Sequence, residues 1–89
     1  MITDTVKTAL RIKHDKLDDE IKRLETTARR EMLRVGVDIR RVWDDSDDLI
    51  NQAVITYCLM NLTEDVGLID KYTRAWETQI DGIRRNISV

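Results

Sequence analysis

Apolar residues recur every three or four positions along most of this chain, which is the spacing of one face of an α-helix. The clearest stripe lies in the predicted second helix, over about residues 16–35. Its apolar positions are Leu17, Ile21, Leu24, Ala28, Met32 and Val35. Gly36 follows the stripe, at the position where a helix commonly ends on a left-handed residue. The pattern therefore predicts a long helix that buries one face and ends at Gly36.

Three further segments show the same spacing, so we predict four helices in total. The expected bounds of the other three are Thr3 to about Ile12, about residues 47–62, and Thr63 or Asp65 to about Ile87. The third helix is apolar over a wide arc, and such a helix is buried on most sides. We expect it to lie at the centre of the domain.

Polar residues mark the starts of the predicted helices. Asp15 is expected to cap the second helix, and Ser46 or Asp47 the third, because these side chains accept hydrogen bonds from the free N–H groups of a first turn. Residues 37–47 lack helical spacing and partly alternate between apolar and polar, which predicts an irregular or hairpin-like loop. We expect Trp43 to be exposed on this loop.

Length and composition support an all-α fold. The chain has 89 residues, of which 42% are hydrophobic, with no proline and three glycines. One domain typically spans about 100–200 residues, so residues 1–89 are expected to form a single domain. We predict a small four-helix domain with one short N-terminal helix and three longer helices.

The charges of the chain nearly cancel, with 15 basic residues, 17 acidic residues and a net charge of −2. This balance argues against a dedicated nucleic-acid-binding protein, whose affinity comes mainly from neutralised phosphates. No apolar stretch approaches the roughly 18 residues of a membrane-spanning helix, and the N-terminus lacks the pattern of a signal peptide. We expect no membrane association.

Two residues have reactive side chains, and we expect both to have a structural rather than a catalytic role. His14 is the single histidine and lies in the predicted turn before the second helix, where we expect a solvated side chain. Cys58 lies on the apolar arc of the third helix with no basic neighbour to lower its pKa, so we expect a buried, unreactive thiol.

An acidic cluster precedes the third helix. It consists of Asp44, Asp45, Asp47 and Asp48. The cluster lacks the alternating ligands and the glycine of a calcium loop, so helix capping explains it better than a metal site. We therefore predict a protein that is not an enzyme, with no catalytic residue, no cofactor and no metal site.

Arginines form a second charged group. Arg23, Arg30 and Arg34 fall along one side of the second helix, and Arg40 and Arg41 continue into the loop. Two interpretations remain open. The stripe is either a solvated face or a surface that meets an acidic partner, which includes DNA, another protein and the acidic cluster of a second copy. Acid-before-base pairs four residues apart, such as Glu25–Arg29, are expected on the exposed face.

Four phrases of the chain resemble, in order, the head–tail connector family of long-tailed bacteriophages. The first runs from Val6 to Ile21 and ends on an acidic helix start. The second is an apolar pattern in the second helix, matched by Ile21, Leu24, Ala28, Leu33 and Gly36. The third is a phrase in the third helix, matched by Asp47, Leu49, Ile50, Ala53, Val54 and Tyr57. The fourth is an early tyrosine in the last helix, matched by Tyr72.

The resemblance implies a structural virion protein that makes and breaks no bond. Members of the family form a ring, typically twelvefold, that docks beneath the portal protein of the filled capsid. The ring extends the DNA channel and joins the capsid to the stopper or tail-completion protein. Genomic DNA passes through it without sequence-specific binding. The implied location is the head–tail interface of the virion, and the host cytoplasm during assembly.

The resemblance and the charges together suggest interface residues. We expect Arg30 and Arg34 to pair with the acidic cluster of the neighbouring copy, because both groups are otherwise over-charged. The expected interface also includes Arg40 and Arg41. Trp43 is expected to be an anchor, since tryptophan is enriched among residues that dominate binding energy.

Two alternatives belong to other classes of protein. The first is a small helical DNA-binding or regulatory protein of the repressor or antitoxin type. It would need the second and third helices as a recognition pair, and their connection is longer than the usual turn of about 3–4 residues. The second is a helical dimerisation module, which needs only the apolar arc of the third helix.

Overall fold

The computed structural model describes residues 2–85, which contain five helices and no strand. The helices are α1 (Ile2–Leu10), α2 (Asp18–Arg34), α3 (Ile39–Val42), α4 (Asp48–Leu62) and α5 (Val66–Arg85). The prediction of a small all-α domain is confirmed. The predicted end of the last helix at Ile87 lies outside the described residues.

Helix α4 is the centre of the fold, as its wide apolar arc predicts. It packs against α1, α2 and α5. Its most buried side chains are Ile50, Ala53, Val54 and Cys58, which are fully inaccessible. Helix α5 runs back along α4, with the rings of Tyr57 and Trp76 at a centroid distance of 4.9 Å. Contacts on three sides explain why almost no polar face remains on α4.

Helix α2 covers the opposite side of α4 with the predicted stripe. Ile21, Ala28 and Met32 are fully buried in the common core. Gly36 has a φ of 100°. Its N–H donates to the carbonyl of Leu33 at 3.1 Å, and the next N–H donates to the carbonyl of Met32 at 2.9 Å. These two bonds form the usual left-handed helix ending, so the predicted role of Gly36 is confirmed.

The start of α2 differs from the prediction at Asp15. Helix α2 begins at Asp18, and the residue before it, Leu17, makes no side-chain cap. The carboxylate of Asp15 instead accepts a hydrogen bond from Lys7 Nζ at 2.8 Å, and the same ammonium lies 3.0 Å from Asp18. Asp15 is therefore wrong as a cap, because a cation on α1 takes its carboxylate. Lys7 ties α1 to the first turn of α2.

The segment between α2 and α4 differs from the predicted irregular or hairpin-like loop. Its centre is one helical turn, α3, capped by Asp38, whose side chain accepts from the N–H of Arg40 at 2.8 Å. Val37 and Val42 are buried against the core on either side of the exposed Ile39. Anchoring both ends of so short a segment draws it into a turn, which the alternation of apolar and polar residues does not reveal.

Candidate functional site: two exposed surfaces at the ends of α4

Large hydrophobic side chains that remain exposed among residues 2–85 fall into two groups. The exposed fractions are 61% for Ile39, 47% for Trp43, 48% for Leu49, 80% for Val66 and 38% for Ile69. The first three lie where the chain enters α4, and we call them the Trp43 end. The last two lie just after α4, and we call them the Val66 end. Helix α4 has 15 residues, so at 1.5 Å per residue the two ends are about 22 Å apart.

A buried arginine organises the Trp43 end. Arg29 of α2 is only 2% exposed. Its Nη1 donates a hydrogen bond to the backbone carbonyl of Val42, the last residue of α3. Its Nη2 lies 3.4 Å from Glu25 Oε1 and 3.5 Å from Asn51 Oδ1. One side chain therefore joins α2, α3 and α4.

The same guanidinium lies against the candidate anchor Trp43. It is 5.8 Å from the centre of the indole ring, within the range of a cation–π contact. Asp45 also lies close to this guanidinium, with Oδ1 at 3.6 Å from Arg29 Nη2. The exposure predicted for Trp43 is confirmed, and one face of its ring is held by a residue of the domain.

The sequence pattern predicts Arg29 as one half of an exposed pair with Glu25. The pair exists, but Arg29 is buried, so that interpretation is wrong for the arginine. A signal was present in the pattern. Arg29 comes directly after Ala28 and three residues before Met32, at the edge of the buried stripe, where a side chain reaches the neighbouring helix.

Two of the predicted interface residues pair with each other inside the chain. Arg41 Nε lies 3.0 Å from Asp47 Oδ2, and Arg41 Nη1 donates to the carbonyl of Ile83 at 3.3 Å, which ties α3 to the end of α5. Asp47 also caps α4, as predicted, by accepting from the N–H groups of Leu49 at 3.1 Å and Ile50 at 3.3 Å. Burial alone would raise the pKa of Asp47, but these hydrogen bonds hold the pKa below its ordinary value.

The other aspartates of the cluster have different surroundings. Asp44 Oδ1 accepts from the N–H of Ser46 at 2.9 Å and from its hydroxyl at 2.6 Å, and these bonds lower the pKa of Asp44. Asp45 is exposed beside Arg29, and Asp48 is exposed in the first turn of α4. Over residues 2–85, no three histidine, cysteine or acidic side chains are placed together to hold a metal ion. Asp44 and Asp47 therefore serve the local backbone, as the capping explanation predicts.

The predicted arginine stripe is largely paired within its own helix. Arg34 lies 2.8 Å from Glu31, and Arg23 lies 3.1 Å from Glu20. Arg40 is farther from a carboxylate, at 3.8 Å from Asp38. Arg30 is exposed and forms no ion pair with any residue that the structure describes. The charges of this arginine stripe therefore do not by themselves indicate where a neighbouring copy would lie.

The sequence pattern does not predict the Val66 end as a site. Its backbone is fixed by Asp65, whose Oδ1 accepts from the N–H of Gly67 at 2.9 Å and of Leu68 at 3.3 Å. Thr63 Oγ1 in turn accepts from the N–H of Asp65 at 3.3 Å. One sequence signal could have indicated this surface. The apolar Val66 directly follows the capping Asp65, and the helical pattern of apolar residues does not require this first turn to be buried.

The two reactive side chains lie where the sequence predicted. His14 is exposed in its turn, and its Nδ1 accepts from the N–H of Lys16 at 3.2 Å. Cys58 is buried, and burial raises the pKa of its thiol to about 12. An open cleft of about 560 Å³ between α1, α2 and α4 is lined by Glu25 and Asp45, the carboxylates that already face Arg29.

Comparison with known protein families, characterised proteins and solved structures found no match to this chain. Within residues 2–85, no helix is both long enough and apolar enough to cross a membrane.

Proposed function

We propose that this protein is a structural subunit of a phage head–tail connector. Its copies form a ring, typically of twelve, beneath the portal protein and join the capsid to the stopper or tail. The proposal is supported by four family-like phrases in the right order over nearly the whole chain. The single structural observation that supports it best is the pair of exposed apolar surfaces at opposite ends of α4, because a ring subunit has a neighbour on each side.

The function proposed here is mechanical. Genomic DNA passes through the channel without being read, and no cofactor, metal or catalytic group takes part. Trp43 is the proposed anchor, since a large aromatic side chain that is already oriented loses little freedom on binding. Its contact with Arg29 supplies that orientation. The subunit would occupy the head–tail interface of the virion, and the host cytoplasm before assembly.

The first test is the mass of the purified protein over a concentration series, measured by light scattering and supported by negative-stain images. A closed ring with the mass of about twelve 10.4 kDa chains is the expected result. A tight dimer that binds short duplex DNA with a steep salt dependence would replace this proposal with the regulatory alternative.

A monomer calls for a second measurement, because ring closure in this class can require the portal as a template. The protein is then mixed with the portal protein encoded in the same genome and sedimented. Co-sedimentation supports the connector proposal, and the absence of binding overturns it.

A further inference from the structure

We propose that α1 is an exchangeable arm, which leaves its groove on α2 and α4 while the rest of the domain stays folded and packs into the same groove of a second copy. The segment that fills this groove is visible in the structure, since it is α1 itself. The inference concerns which copy supplies that segment, and it does not depend on the proposed function.

Helix α1 is attached to the domain by few buried groups. Within Ile2–Leu10 only Val6 is buried, and Ile2 and Leu10 pack at the edge of the core. Thr3 and Thr5 line the open cleft of about 560 Å³ between α1, α2 and α4, so this half of the helix is not closely packed. Segments with few buried apolar contacts open locally before a domain unfolds. We therefore expect α1 to open first.

One cation latches α1 onto the start of α2. Lys7 Nζ lies 2.8 Å from Asp15 Oδ1 and 3.0 Å from Asp18 Oδ1. The Asp18 oxygen is buried, and no hydrogen-bond donor within residues 2–85 satisfies it, so the Lys7 ammonium offsets its charge. The hydrogen bonds to these two carboxylates raise the pKa of Lys7. The groove therefore requires a cation at this position of whichever α1 occupies it.

The segment between α1 and α2 is suited to act as a hinge. Arg11 has a φ of 59°, a left-handed conformation that is costly for a residue with a side chain. Opening the arm releases this strain, because an extended Arg11 has a negative φ. The hinge, residues 11–17, spans about 23 Å when fully extended. The shortest dimension of the domain is 18 Å, so this length is enough to carry α1 to a neighbouring copy.

Exchange keeps the contacts of the groove, because both copies supply the same α1 and the same groove. Val6 enters the core of the second copy, and Lys7 meets that copy's aspartate in place of its own Asp18. Only the hinge changes its conformation. A free α1 has nine residues, too few for a stable helix in water, so an open arm gains its helix again only by packing into a groove.

Amide hydrogen exchange tests whether the arm opens on its own. In wild type, the α1 amides are expected to exchange roughly tenfold faster than those of α4. Lys7→Gln is expected to speed α1 exchange by about a further tenfold and to leave α4 and α5 unchanged. The matched control is Lys13→Gln, an exposed hinge residue that forms no ion pair within residues 2–85 and should leave α1 at the wild-type rate.

Two results of this experiment would overturn the proposal. The first is protection of α1 equal to that of α4, which would mean that the arm opens only when the whole domain unfolds. The second is an equal acceleration of α1 exchange by Lys7→Gln and Lys13→Gln, which would mean that Lys7 is not the latch.

Complementary charges on two chains test the exchange itself. All chains carry Asp15→Asn, so that the hinge carboxylate acts in none of them. Lys7→Glu and Asp18→Lys each place like charges at the latch of a closed chain, so each variant alone should be monomeric with an unprotected α1. In an equimolar mixture, exchange places the new glutamate of one chain against the new lysine of the other, and the native Lys7 against the native Asp18.

The expected result is a complex with equal numbers of the two chains, seen by native mass spectrometry in the mixture alone, with α1 protected again. The Lys7→Glu/Asp18→Lys double variant should protect α1 without mixing, and protection of α4 and α5 shows that each single variant is folded. A folded mixture that stays monomeric overturns the exchange, as does a single variant that dimerises alone. Binding to the portal is measured separately, so either result leaves the connector proposal standing.

Discussion

The two ends of α4 present similar exposed apolar surfaces but are built in different ways. At the Trp43 end, two of the stabilising hydrogen bonds join residues that are far apart in the chain, with sequence separations of 13 from Arg29 to Val42 and of 42 from Arg41 to Ile83. At the Val66 end, Asp65 binds N–H groups two and three residues further on. The first surface therefore depends on the completed tertiary structure, whereas the second depends on the chemistry of a single turn.

The largest expected effect comes from removing the buried arginine. Arg29→Ala leaves the buried carbonyl of Val42 without a partner and opens space under Trp43, so we expect a loss of about 3 kcal/mol in the free energy of unfolding. Urea denaturation measures it. The neighbouring exposed residue gives the control, because Arg30→Ala should stay within about 0.5 kcal/mol of wild type. Equal effects at the two positions would show that the network is not what holds the Trp43 end.

The two helix caps give the next comparison. Asp47→Ala is expected to cost about 2 kcal/mol, because it removes both the cap of α4 and the partner of Arg41, whereas Asp65→Ala removes a cap alone and should cost about 1 kcal/mol. Thermal unfolding of both variants measures the difference. Identical losses would mean that the Arg41–Asp47 pair adds nothing to capping.

Left-handed residues at the two helix endings give a smaller effect. Gly36 follows α2 beside the Trp43 end and has a φ of 100°, whereas Arg11 follows α1 and has a φ of 59°. We expect Gly36→Ala to destabilise the domain by about 1 kcal/mol, and Arg11→Gly to stabilise it by about 0.5 kcal/mol. Melting temperatures measured on both variants should move in opposite directions. A stabilising Gly36→Ala would contradict the assigned helix ending.

The smallest expected effect is on the dependence of stability on pH. The pKa of Asp47 is lower in the folded protein than its ordinary value, so its contribution is present above about pH 4 and is lost as the pH falls through the folded-state pKa. Asp47→Asn should therefore make the stability fall less steeply on acidification. Asp15 and Asp44 also have lowered pKa values, so part of the acid dependence remains. An unchanged slope would show that Asp47 titrates alike in both states.

What could be predicted from the sequence divides in the same way, between local interactions and interactions of residues that are far apart in the chain. The helix ending at Gly36, the cap at Asp47 and Asp65 as one of the two expected starts of the last helix were predicted, because the rules for helix ends involve residues within a few positions of one another. Asp15 was assigned wrongly since its partner, Lys7, lies eight residues away on another helix. The role of Arg29 was missed for the same reason, as its contacts are made across the fold.

The candidate site shows this limit from another side. The exposure of Trp43 follows from an aromatic residue in a polar segment, and the structure confirms it. The Val66 end was missed because one exposed valine in a helical pattern looks no different from a buried one. Only the packed arrangement shows that α5 leaves its first turn uncovered.

The bond between Arg41 and Ile83 has a consequence for the order of folding. Helices α4 and α5 are joined by three residues, so their contacts are local and can form early, whereas a bond across 42 residues waits until α5 has been laid back along α4. The Trp43 end is then completed last, and mutations there should mainly speed unfolding rather than slow folding. A newly made chain would therefore order its Val66 end before its Trp43 end.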